Sequence, residues 1–187
     1  MLKIPTLARN AVIAGLSVFF GLSVNAAERI SDFSLIDSEG RFFQLSRQLD
    51  KQAVVLFAYD KSSRDARRAI ADLNDVADQF ADQAVGFAVI DTTATADKAE
   101  MRKEAKDEDI AMRILLDDTQ LVSEELGLSR VAEVVILDPS AREVLYRGAL
   151  NNRFSEGSRA RRASEHYLFD ALTAVLADEE ISTEQLA

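Results

Sequence analysis

The chain has 187 residues and a net charge of −10, with 32 acidic against 22 basic side chains, one histidine and no cysteine. A balance this acidic repels nucleic acid and anionic lipid and leaves cationic partners as the ones it favours. Without cysteine there is no thiolate, the nucleophile of disulfide exchange and peroxide reduction, and one histidine is too few for a tight zinc or copper site.

Lys3 and Arg9 precede an apolar stretch from Ala11 to Val24, and Val24-Asn25-Ala26 sets small residues at both positions that decide cleavage. The pattern predicts a Sec-type signal peptide over residues 1–26. The 14 residues from Ala11 to Val24 fall short of the ~20 that cross a hydrocarbon core. No twin arginine precedes the apolar stretch and no cysteine follows it, so neither folded-protein export nor a lipid anchor is expected. The expected product is a periplasmic domain, residues 27–187, with no stable membrane anchor. Removing 26 of 187 residues leaves 161, enough for one core. The removed segment carries two basic and no acidic side chains, so the charge moves from −10 to −12. No disulfide braces this domain, and packing alone must hold it.

Asp32-Phe33-Ser34-Leu35-Ile36 alternates, meets the turn cluster Asp37-Ser38-Glu39-Gly40, and alternates again through Arg41-Phe42-Phe43-Gln44-Leu45. This predicts a β-hairpin. Ala53 to Ala58 is a continuous apolar run too short for a helix, the signature of a strand buried on both faces. From Ser63 the period changes: Ala66, Ala69, Ile70, Leu73, Val76, Ala77 and Phe80 recur every three or four residues and predict a long amphipathic helix. Val85 to Ile90 is a second buried strand, and the strand–helix–strand order implies a right-handed crossover and a parallel pair.

Asp97 to Asp107 is a charged segment of helix-forming residues, and Ile114-Leu115-Leu116 is a short apolar piece. Asp118-Thr119 is expected to cap a helix that runs to Leu126 and stops at Gly127. Val131 to Leu137 reads as a strand joined through Asp138-Pro139-Ser140-Ala141 to Glu143–Arg147, an antiparallel hairpin. Tyr167, Leu168, Ala171, Leu172, Val175 and Leu176 share one face of a closing helix, after which 178–187 is polar.

The order βαβ followed by αββα is that of the thioredoxin fold, an α/β architecture with a mixed sheet flanked by helices. Asp32 to Leu45 resembles the opening hairpin of alkyl hydroperoxide reductase/thiol-specific antioxidant redoxins, and Val54 to Arg67 resembles their strand and active-site loop. Val131 to Arg147, followed by Gly148, resembles their late hairpin. Asn151-Asn152-Arg153-Phe154 and the helix from His166 to Leu176 resemble the tail of exported redoxins. Carried over by position, the resemblance puts the first redox cysteine on Ser63, the second on Ala66 and the cis-proline on Ala132. The threonine three positions before the first cysteine becomes Asp60, while the arginine after the second survives as Arg67. A non-proline cis bond costs ~3 kcal/mol, so a trans, differently shaped loop is expected at Ala132. Fold kept and cysteines lost together imply a pseudo-enzyme, with neither peroxidase nor disulfide exchange expected.

Ser63 would need a base to act as a nucleophile, and His166 with Asp170 four residues on is the only imidazole pair on offer; a helix cap suits Ser62 or Ser63 better. Arg64, Arg67 and Arg68 crowd the first turns of the following helix, where the dipole is already positive. With Ser62 and Ser63 they make a candidate anion or partner site, opposed by neutralisation from Asp60, Asp65 and Asp72, the last spaced to pair with Arg68. Arg153, Arg159, Arg161 and Arg162 form a second candidate patch in a segment whose Gly157 and serines read as a loop. The acidic strings Asp107-Glu108-Asp109 and Asp117-Asp118 lack the spacing of a calcium loop, and neither metal nor cofactor is expected. The leading functional expectation is a catalytically inactive thioredoxin-like module that binds another exported protein. The alternatives are a ligand-binding protein or enzyme reusing the old cleft, with an anion at the Ser63 helix start, and a redox or antioxidant role by descent only.

Overall fold

The computed structural model describes residues 28–94, 97–154 and 162–181. The expected signal peptide, Arg159 and Arg161 of the second patch, and the end of the polar tail lie outside the described residues. In chain order the elements are β1 (Glu28–Arg29), β2 (Ser34–Asp37), β3 (Phe42–Gln44), β4 (Ala53–Tyr59), α1 (Arg64–Gln79), β5 (Val85–Asp91), α2 (Lys98–Asp107), β6 (Arg113–Leu116), α3 (Leu121–Glu125), β7 (Glu133–Asp138), β8 (Glu143–Ala149) and α4 (Tyr167–Leu176). The strands make one mixed sheet in the order β1-β8-β7-β4-β5-β6-β2-β3, with β4, β5 and β6 parallel and the other pairings antiparallel.

The unbroken apolar run of β4 follows from its place at the centre. Ala53, Val55, Phe57 and Tyr59 enter a core shared with α1 and α4, while Val54 and Leu56 enter a second core with the β2–β3 hairpin and α3. Alternation still governs the strand, but both faces are apolar. β7 repeats the arrangement, sending Val134 and Ile136 to the first core and Val135 and Leu137 to the second. In α1 the predicted stripe is the buried one: Ala66, Ala69, Ile70, Leu73 and Val76 face the sheet.

Two features differ from the sequence reading. α3 is not capped by Asp118 or Thr119. Gln120 holds a left-handed conformation at φ 60, and the fully buried Asp117 accepts the N–H groups of Ser123 at 2.7 Å and Val122 at 3.4 Å and the Ser123 hydroxyl at 2.6 Å. The turn pushes the helix start towards Leu121, so the carboxylate that reaches its first N–H groups comes from one residue earlier. β1 was not anticipated: its two residues exist as a strand through pairing with Glu143 and Val144 of β8. Gly127 does end α3 in the left-handed region, at φ +62. A side chain there would meet the guanidinium of Arg147 at 3.1 Å, which donates to Leu126 O at 2.8 Å.

Candidate functional site

The carboxyl ends of β4 and β5 form the edge where the resemblance places redox chemistry. Tyr59 ends β4, and Asp60 turns the chain: its Oδ1 accepts the Ser62 N–H and hydroxyl, both at 2.7 Å, and its carbonyl accepts the Ser63 N–H at 2.9 Å. Ser63 is the N-cap of α1, its Oγ accepting the Ala66 N–H at 3.2 Å. Ala66 is fully buried against the sheet. The position that the resemblance assigns to the first redox cysteine thus uses its hydroxyl as a helix cap, and the one assigned to the second contributes a methyl group to the core.

Ala132, to which the resemblance assigns the cis-proline, precedes β7 at φ 68 and is 3% exposed. Its N–H donates to Ala58 O at 2.9 Å, and no cis peptide bond occurs among the described residues. The loop thus approaches β4 through a left-handed alanine.

The arginines at the start of α1 are mostly engaged. Arg67 donates to the carbonyl of Lys61 and lies 3.5 Å from Glu108, and Arg68 lies 3.5 Å from Asp65. The expected Arg68–Asp72 pairing is absent: Asp72 accepts instead from Asn151 at 2.7 Å and from Arg153 at 2.7 and 2.8 Å. The reason is reach across the fold, for the segment after β8 returns over this face of α1 with a guanidinium already in place. Arg64 is exposed, with no ion-pair partner among the described residues.

Carboxylates surround this edge. Lys61 pairs with Glu100 at 2.5 Å, which raises its pKa. The Tyr59 hydroxyl donates to Glu104 at 2.5 Å, and burial together with that carboxylate pushes the phenol well above its ordinary range. Asp91, the last residue of β5 and paired in register with Tyr59, is fully buried. Its Oδ1 accepts the Thr93 N–H at 3.1 Å and hydroxyl at 2.8 Å, while Oδ2 has no partner among the described residues. Burial raises its pKa against the lowering effect of the Thr93 bonds and Lys61. Among the described residues no three histidine or carboxylate side chains are grouped as a metal would require.

The other candidates lie elsewhere. No side-chain hydrogen bond joins Ser63, His166 and Asp170; Asp170 meets His166 only through the backbone, at 2.9 Å. His166 stands before α4 and lines a cleft with Arg153, Arg162 and the distal half of α1. Arg153 is fixed by Asp72 and stacks over the Phe154 ring at 5.0 Å, whereas Arg162 is exposed. Sequence reasoning missed Asp91 and Glu104. A single acid closing an apolar strand was the available signal for Asp91, while nothing local links Glu104 to Tyr59, 45 residues away.

Similar architecture occurs in solved structures. A hypothetical protein from Sinorhizobium meliloti 1021 superimposes with a TM-score of 0.73 at 20% identity, covering 86% of this chain and 89% of that one. An uncharacterized conserved protein from Geobacillus kaustophilus gives 0.73 at 18%, covering 84% and 85%. Peroxidoxin BcpB from Mycobacterium tuberculosis gives 0.59 at 22%, covering 81% and 93%. No curated protein sequence matches the chain significantly. At these identities the structures establish the thioredoxin-like fold, and the family follows from the sequence profile that matches residues 26–147. The chain belongs to the AhpC/TSA family, as a thioredoxin-like member that contains no cysteine.

Proposed function

We propose that this chain is an exported accessory module that has lost thiol chemistry and uses the edge around Ser63 to bind another exported protein. The observation that carries the reading is a contrast on that edge. The relic positions are taken up structurally, Ser63 as a cap and Ala66 as core. Meanwhile two large apolar side chains stand in solvent there, Leu121 at 65% and Val131 at 40% exposure. Val131 precedes Ala132, whose N–H is bonded to the end of β4, and Gln120 beside Leu121 donates to Thr92 O at 2.6 Å, just past β5. Apolar surface left in water next to a site without chemistry favours a contact role. Arg64, with no ion-pair partner among the described residues, adds positive charge on the same edge, suited to a partner that brings acidic groups. The reading of an anion held at the Ser63 helix start has less support, because Arg67 and Arg68 already have carboxylate neighbours.

Affinity capture from the periplasm of the source cell tests this, comparing the native protein with a Leu121→Asp/Val131→Asp variant. Both side chains are exposed, so the variant keeps its fold. The expected result is a discrete exported protein retained by the native form and lost by the variant. Equal retention by both, or no specific protein with either, overturns the reading.

A further inference from the structure

We propose that the cleft between the distal half of α1 and the segment leading into α4 binds a small zwitterion with an apolar body, of which an apolar α-amino acid is the simplest example. The cleft measures about 270 Å³, close to the lower end of small-ligand pockets, ~300 Å³. One helix face supplies one wall: Asp72, Asp75, Val76 and Gln79 recur at intervals of three and four residues. Arg162 and His166 line it from the segment before α4, and Leu150 and Phe169 join Val76 as its apolar surface.

The charges sort into a fixed set and a free set. Asp72 is bonded by Arg153 at 2.7 and 2.8 Å and by Asn151 at 2.7 Å, and Asn151 is itself 3% exposed. Those charges neutralise each other and hold the wall rigid, which lowers the ordering cost of binding. What is left is the carboxylate of Asp75, the guanidinium of Arg162 and the imidazole of His166, none with a side-chain partner among the described residues. A lone anion would be drawn to Arg162 and repelled by Asp75, and a lone cation would meet the reverse. A molecule carrying an ammonium and a carboxylate satisfies both groups, while its apolar side chain covers Val76, Leu150 and Phe169. The site is independent of the edge around Ser63, since the 12 residues from Ser63 to Asp75 span about 18 Å of helix.

Isothermal titration calorimetry on the full chain decides the matter, with L-phenylalanine, 3-phenylpropionate and phenethylamine as probes. The last two keep the ring and lack the ammonium or the carboxylate. L-phenylalanine is expected to bind roughly tenfold or more tighter than either analogue. Asp75→Asn and Arg162→Gln should each remove that advantage, and Asp75→Asn should leave 3-phenylpropionate unweakened. Both side chains are exposed and have no side-chain partner among the described residues, so both variants fold. Equal affinity for a single-charge analogue, or no binding by any of the three probes, overturns the proposal.

Discussion

The Ser63 hydroxyl accepts the Ala66 N–H at 3.2 Å, so the two positions that the resemblance assigns to a cysteine pair are joined here by a helix cap. Ser63→Ala should destabilise the protein by about 1 kcal/mol, the usual cost of losing an N-cap. Ser63→Asp should leave stability nearly unchanged, since aspartate caps as well as serine. Urea unfolding of the three forms, with unchanged slope, measures it.

Ala132, to which the resemblance assigns the cis-proline, has a backbone that no proline could adopt. Its φ of 68 is far from the ~−65° that a proline ring imposes, and its N–H is bonded to Ala58 O at 2.9 Å. Ala132→Pro should therefore cost ~3 kcal/mol or more. Ala132→Gly should be close to neutral, because relief of the left-handed strain, about 1 kcal/mol, is offset by a similar entropic cost in the unfolded chain. Thermal unfolding of both variants separates them clearly.

Asp37 is fully buried and lies 2.9 Å from both Arg41 and Arg113. Burial alone would raise its pKa, but the Arg41 N–H and the two guanidiniums outweigh burial and hold it below 3.8. Its stabilising contribution is thus complete above the unfolded value of 3.8 and is lost as pH falls through the lower folded value. Asp37→Ala should cost about 2 kcal/mol at neutral pH, because it removes the acceptor of the Glu39 and Arg41 N–H groups and of two partly exposed guanidiniums. Denaturation curves at pH 7 and in mild acid should show the gap between native and variant narrowing as acid is added.

Asp91 has the opposite sign. Burial raises its folded pKa above the unfolded 3.8, so the native state holds the extra proton between the two values. Stability attributable to it falls as pH rises from 3.8 through the raised folded value, and is level beyond. Asp91→Asn, which keeps an oxygen for Thr93 and cannot ionise, should be at least as stable as the native protein at neutral pH. That difference should disappear at low pH, and melting temperatures across an acid-to-neutral series test it.

Where structure was legible in the sequence, local chemistry dictated it. The stripe from Ala66 to Phe80 could serve only a helix with one buried face, and the run Ala53–Ala58 could serve only a strand between two cores. The hairpins at Asp37-Ser38-Glu39-Gly40 and Asp138-Pro139 were likewise readable, because each aspartate folds back on nearby N–H groups. What escaped the reading depends on distant partners. Asp72 is spaced for Arg68 yet bonds Arg153, 81 residues on. β1 is a strand only because β8 lies beside it, and the cleft of Asp75 and Arg162 exists only once the chain has returned from β8 to α4. The choice of Asp117 over Asp118 as cap rested on the backbone conformation of Gln120, which composition does not reveal.

The protein-contact surface that we propose includes Leu121 and Val131, exposed beside the carboxyl ends of β4 and β5. A photo-crosslinking amino acid placed at Val131, and separately at exposed Thr173 on α4, tests it directly in living cells. One discrete higher-mass adduct is expected on illumination from position 131 and none from position 173. No adduct from 131, or the same adduct from both positions, would contradict it.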